Sequence, residues 1–371
     1  MAPAALRISC RIPCIFLAAL VTSVETSYYK PLESKALVIY DTAHVFEYRW
    51  ISFLFGGAEL PSISDIAPSF PNCTVNCHIE PSLPNCTIFV TAYNSPLFSK
   101  LATYPNSQSF MWVQLSDESR GSHIAFANQY ARWHSVSRNY WSNDDLNTYD
   151  RLEARGKLFW FPLGYGYLYA TQHLPLTSSL HLLSFVGNLG NNALRAKHIQ
   201  EIAEKGNISV YGATADKSFG TELMNASAFA GVLRDSSFCL SLPGASAECF
   251  RFYESLQCGC IPVIVDEFSD ADYTRRNWHE FKHLLALPAS VKSHRIKPAR
   301  WKLIFNAGQT QYQVPFFWVK SVAGLHVLNM LSEADKYELR QESTRWWNCV
   351  KNHFRTSFQT YGSECQKVYS V

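Results

Sequence analysis

The chain has 371 residues, of which 47% are hydrophobic and 17% charged, and its formal net charge is +3. That composition excludes a disordered chain and leaves room for about two domains. With no basic run it also argues against a nucleic-acid partner. The aromatic share of 14% reads as ordinary core packing. At the N-terminus, Arg7 and Arg11 flank the apolar run IPCIFLAALVTSV, residues 12–24. A basic flank followed by a short apolar stretch is the pattern of a secretory signal. The run falls short of the roughly 20 residues that span a bilayer. Residues 1–30 therefore read as a signal peptide or a short signal-anchor, and the rest of the chain is expected in the lumen of the secretory pathway.

ALVIYD, residues 36–41, reads as a strand, and HVFEYRWISFLF after it has helical apolar spacing. Residues 57–86 are rich in Pro, Ser and Asn and read as a long surface loop. TIFVTAY (87–93) and FMWVQL (110–115) read as strands, and HIAFANQYARW (123–133) as a helix. KLFWFPLGYG, residues 157–166, is an apolar run that ends in Pro162 and Gly164. The first domain is expected to span 36–165 and to close there.

The second half alternates more regularly. HLLSFVG is a strand ending at Gly187, NNALRAKHIQEIAEKG a helix closed by Gly206, and ISVYGA a strand. TELMNASAFAGVLRDS reads as a helix, FCLSL as a strand, and IPVIV as a strand after one more helix. Such alternation predicts a parallel sheet flanked by helices over 166–330. Ser332-Glu-Ala-Asp335 reads as a capping box opening a terminal helical segment over 331–371. Two open α/β domains imply a crevice, with ligands beyond the C-terminal ends of the strands. In the second domain those ends are Gly187, Leu242 and Val265.

Four N-x-[ST] sequons, at Asn72, Asn85, Asn207 and Asn225, agree with a lumenal chain. So do the 11 cysteines. Cys73, Cys77 and Cys86 suit disulfides, and Cys349 and Cys365 are further candidates. Cys239, Cys249, Cys258 and Cys260 lack paired CxxC spacing, so they read as small buried thiols rather than zinc ligands.

The most informative stretch is GASAECFRFYESLQCGCIPVIVDE, residues 244–267. A helix starting near Glu248 would present free backbone N–H groups to the crevice, a setting that suits an anion. Phe252 and Leu256 share an inward stripe with Cys249, and Arg251 and Glu254 share another at i and i+3. From spacing alone, a surface salt bridge accounts for that pair as well as a binding site does.

FCLSLPG…RFYESLQCGCIPVIVDE resembles the signature of the exostosin family of glycosyltransferases. FWFPLGYG, LLSFVGNLGNNALR and the order Glu-Cys-aromatic-Arg at 248–251 are similar to its ribitol xylosyltransferase branch, which decorates the O-mannosyl glycan of α-dystroglycan. The resemblance covers 157–267 and is thin over 36–156. It implies an α/β, GT-B type architecture: two Rossmann-like domains facing a crevice, with the donor nucleotide-sugar held by the C-terminal one. By position, Glu254 then meets the donor ribose or base edge, with Arg251 beside it, and Arg195 lies near the diphosphate. Gly187, Gly244, Glu248 and Asp266 line the same site.

An inverting transfer needs a base for the acceptor hydroxyl, expected from the first domain. Glu118 and Asp117 lead, followed by Asp41 and His44, and each is equally a capping or turn residue. DAD at 270–272 reads as an acidic loop, and neither a metal nor another cofactor is expected. The function expected is transfer of xylose from UDP-xylose to ribitol phosphate on a glycoprotein glycan in the Golgi, beside other Golgi glycosyltransferases. Another exostosin-like transferase, heparan-type or using a different UDP-sugar, is the alternative, as is a non-catalytic sugar-binding subunit of the same fold.

Overall fold

The computed structural model describes residues 38–40, 47–54, 88–92, 111–115, 135–139, 158–165, 178–189, 193–205, 208–213, 226–243, 249–265, 316–319 and 321–369. They form two parallel sheets of five strands each. The first contains β1 (Val38–Tyr40), β2 (Ile88–Ala92), β3 (Met111–Leu115), β4 (Ser135–Arg138) and β5 (Leu158–Trp160), side by side in chain order. The second contains β6 (His181–Asn188), β7 (Ile208–Ala213), β8 (Ser236–Leu240), β9 (Ile261–Val265) and β10 (Phe317–Val319) in the order β10-β9-β8-β6-β7. Strands of a parallel sheet are covered on both faces, which favours unbroken apolar runs. Accordingly MWVQL of β3 and IPVIV of β9 are buried at every position.

Two strands escaped the sequence pattern. β4 reads SVSR and carries no apolar run, yet Ser135, Val136 and Ser137 are buried between β3 and β5. β10 and the 3-10 helix Val322–Met330 after it fall in a region where no element was expected. The remaining helices are α1 (Tyr48–Leu54), α2 (Ala193–Lys205), α3 (Ala226–Arg234), α4 (Phe250–Gln257) and α5 (Glu333–Tyr369). The core of the second sheet joins Leu183, Phe185, Phe238, Leu240, Ile261 and Val263 to Leu339 of α5.

α5 opens as the capping pattern requires: the Asp335 backbone N–H donates to Ser332 Oγ at 3.1 Å. The helix then touches both sheets' helices. Trp347 stacks on Trp50 of α1 at 5.6 Å between ring centres and packs on Tyr253 of α4 at 5.3 Å. Trp50 in turn donates its indole N–H to Pro162 O at 2.9 Å. Gly164 beside it has φ +73°, and a Cβ there would lie 2.3 Å from the Trp50 ring, so only glycine fits. Farther along, Phe354 and Phe358 meet Trp160 and Phe161 edge-on. Arg340, buried in α5, donates to Gly259 O at 2.8 Å and to Arg234 O, which caps α4 and α3 at once. Burial lowers its pKa to about 10.

The cysteines differ from expectation. Cys239 and Cys260 are not buried thiols but a disulfide that ties β8 to the start of β9. Cys249 and Cys258 are free, as expected. Cys349 is also free and exposed. It shares α5 with Cys365. Their separation is roughly 24 Å along the axis at about 1.5 Å per residue, which excludes a bond between them. The asparagines of the four sequons, residues 1–30, the Cys73–Cys86 loop and the helix expected at 123–133 lie outside the described residues. Among the described residues no helix is long and apolar enough to cross a membrane.

Candidate functional site

In the second sheet β6 lies between β7 and β8, while the chain runs from β6 out to β7 and from β8 out to β9. The two connections leave in opposite directions, so a crevice opens between the ends of β6 and β8. Open parallel sheets bind ligands at such a switch point. Gly187 and Asn188 end β6, and Ser241, Leu242 and Pro243 follow β8 on the way to α4.

α4 begins at Phe250, two residues later than expected, with Cys249 as its extended N-cap. It ends on Gly259, whose φ is +72°. The Gly259 N–H donates to Leu256 O at 3.2 Å and the Cys260 N–H to Ser255 O at 2.9 Å. This paired closure needs the left-handed residue that glycine supplies. The expected single inward stripe proves too narrow. Every residue from Phe252 to Gln257 is buried, because the sheet covers one side and α5 the other. Trp347 Nε1 and Lys351 Nζ both donate to Gln257 Oε1, at 2.8 and 3.2 Å.

That burial decides the nature of the Arg251–Glu254 pair. Arg251 Nη1 donates to Glu254 Oε2 at 2.9 Å, and the side chains are 20% and 5% exposed. The Arg251 guanidinium also lies over the Phe229 ring of α3, 4.3 Å from its centre. A pair held this way is not a solvated surface salt bridge. Gly187 packs against it: a Cβ there would come within 3.3 Å of Arg251 Nη2 and 3.1 Å of Phe185 Cζ. The arrangement offers a fixed, partly open cation next to a buried carboxylate, suited to an anion bearing hydroxyl groups.

Arg195, in the first turn of α2, is buried. Its guanidinium donates to Asn188 O at 2.8 Å, to Leu242 O at 3.2 Å, and to Pro243 O at 2.8 and 3.2 Å. It also approaches the Phe185 ring, at 5.8 Å from the centre. Cys249 places a half-buried thiol 3.6 Å from both Ser241 Oγ and Leu242 O. Cys258 is chemically quiet, its pKa pushed up to about 12 by burial first and by the Glu254 charge second.

Gly187, Arg195, Arg251 and Glu254 thus gather at the C-terminal ends of β6 and β8. Gly244, Glu248, Asp266, Asp41, His44, Asp117 and Glu118 lie outside the described residues. Phe229 and Arg340 had no sequence signal: one sits in an ordinary amphipathic helix, the other on a charged helix face. Among the described residues no cluster of three His, Cys, Asp or Glu side chains could hold a metal ion.

Comparison with known proteins bears on the same segment. No curated protein matches the chain. Among solved structures, one described as "Crystal structure of GtfA/B complex" is 11% identical with a TM-score of 0.40, over 77% of this chain and 58% of that one. The chain therefore spans less than two thirds of that protein's length. Residues 168–296 match the Exostosin GT47 domain, a stretch that contains Gly187, Arg195, Arg251 and Glu254, and the match supports an exostosin-family glycosyltransferase.

Proposed function

We propose that the protein is an inverting glycosyltransferase of GT-B type that works in the Golgi and transfers xylose from UDP-xylose to ribitol phosphate on an O-mannosyl glycan. The observation that carries the donor half is the buried Arg251–Glu254 pair at the β6/β8 switch point, inside the segment with the family match. A nucleoside diphosphate presents an anion and vicinal ribose hydroxyls. Arg251 donates to the former and Glu254 accepts from the latter. Gly187 leaves room for the guanidinium. Gly244, Glu248 and Asp266 belong to this site by resemblance, as do xylose as the donor sugar and ribitol phosphate as the acceptor.

In the reaction, the base takes the proton of the acceptor hydroxyl, whose oxygen bonds to the anomeric carbon as the bond to UDP breaks. Glu118 is our first choice for that base, with Asp117 and Asp41 behind it. The diphosphate leaves against cationic and N–H donors, so no metal is required. The disulfide between Cys239 and Cys260 fits an oxidising lumen.

The test is UDP release from a panel of UDP-sugars by the purified chain, with and without a ribitol phosphate acceptor, in excess EDTA. Acceptor-dependent release from UDP-xylose in EDTA is expected. Transfer from a different UDP-sugar would keep the glycosyltransferase and discard the xylose assignment. Binding of UDP-sugars with no transfer to any acceptor would leave a sugar-binding subunit.

A further inference from the structure

Arg195 bridges the two sides of the β6/β8 crevice. Asn188 O, Leu242 O and Pro243 O lie on the two stretches of chain that diverge at the switch point, beyond the last positions at which β6 and β8 pair with each other. One planar guanidinium joins all three. Its Nη1 reaches the β6 side at 2.8 Å, and its Nη2 and Nε reach Pro243 on the β8 side at 2.8 and 3.2 Å. Phe185 lies under it, and the same ring borders the Gly187–Arg251 contact. A buried fork bonded to three carbonyls has its geometry set by backbone, not by an incoming phosphate.

We infer that Arg195 is a positioning residue for the nucleotide site: it holds the end of β6 and the segment after β8 at the separation a nucleotide needs, rather than ligating the diphosphate. This rests on the donor site proposed above. Lysine keeps the charge but has a single ammonium, which cannot bridge carbonyls on both sides of the crevice in one plane. Charge and geometry therefore separate experimentally.

The experiment is calorimetric titration of UDP and UMP into the full chain and its R195K and R195A variants, below their melting temperatures and with near-UV circular dichroism alongside. A positioning role predicts that both variants lose affinity about equally, by roughly 10-fold or more. It also predicts that UDP and UMP suffer alike, because the whole nucleotide seat shifts. R195K binding UDP within twofold of wild type, with loss in R195A confined to UDP, would make Arg195 a diphosphate ligand and overturn this inference alone. Wild type that binds neither nucleotide would overturn the donor site and this inference with it.

A second measurement needs no variant. Phenylglyoxal labelling of the wild type, read by mass spectrometry, should modify Arg195 far more slowly than exposed Arg345, and UDP should not change that rate. Rapid labelling of Arg195 that UDP suppresses would refute the positioning role even if both variants failed to fold.

Discussion

Arg251 and Glu254 are three positions apart on a helix, a spacing shared by exposed ion pairs worth under about 1 kcal/mol. Here the carboxylate is 5% exposed and the guanidinium is braced on an aromatic ring. Arg251→Ala and Glu254→Gln are each expected to weaken UDP binding by roughly 1.5–3 kcal/mol, the scale of a charge-assisted hydrogen bond. In dissociation constant that is about 10- to 150-fold. Calorimetric titration of both variants checks this, and wild-type affinity in both would detach the pair from the donor. Spacing made the pair visible in the sequence, but burial is a tertiary property that spacing does not carry. Phe229, which aims the guanidinium, lies in a different helix with nothing in its own surroundings to mark it.

The elements themselves were legible where the physics is local. Stretches dominated by apolar residues revealed β3, β6 and β9; Ser332 and Gly259 marked a helix start and a helix end. β4 was hidden because two of its three buried residues are serines, which break the apolar run that marks a buried strand. The disulfide between Cys239 and Cys260 was hidden for a similar reason: their separation of 21 residues becomes a contact only when β8 and β9 pair. Closing a loop of that size contributes about 3 kcal/mol by loop entropy. The Cys239→Ala/Cys260→Ala double variant should lose about that much in urea unfolding, and an unchanged midpoint would refute the contribution. On α5, His353 is half-buried with its ring edge-on to Phe354, and burial lowers its pKa below the ordinary 6.5. The unfolded chain then takes up a proton more readily than the folded one. The His353 contribution is fully present above pH 6.5 and is lost as pH falls through the lowered folded value. His353→Gln should flatten the acid side of a plot of melting temperature against pH; an identical profile in the variant would count against it.

At the level of the whole molecule, one helix joins two sheets. Trp347 is fully buried, stacked on α1, packed on α4 and bonded to Gln257. Trp347→Ala is expected to cost roughly 3–5 kcal/mol, as large aromatic deletions in cores do. Urea titration followed by near-UV circular dichroism measures it, and a loss below about 1 kcal/mol would show that α5 does not bind the sheets together through this residue. The terminal helix was legible from its cap, but its partners were not, since they lie far upstream, at Gln257 in α4 and at Trp50 in α1. The bond between Cys239 and Cys260 has one more effect at this scale. It makes the chain from β8 through α4 a covalent ring, with the Arg251–Glu254 pair inside it. A protease that cuts one peptide bond anywhere in that ring produces two polypeptides but releases neither. The nicked protein would migrate as a single band without reductant and as two with it, so a cleavage beside the Arg251–Glu254 pair would go unseen on a non-reducing gel.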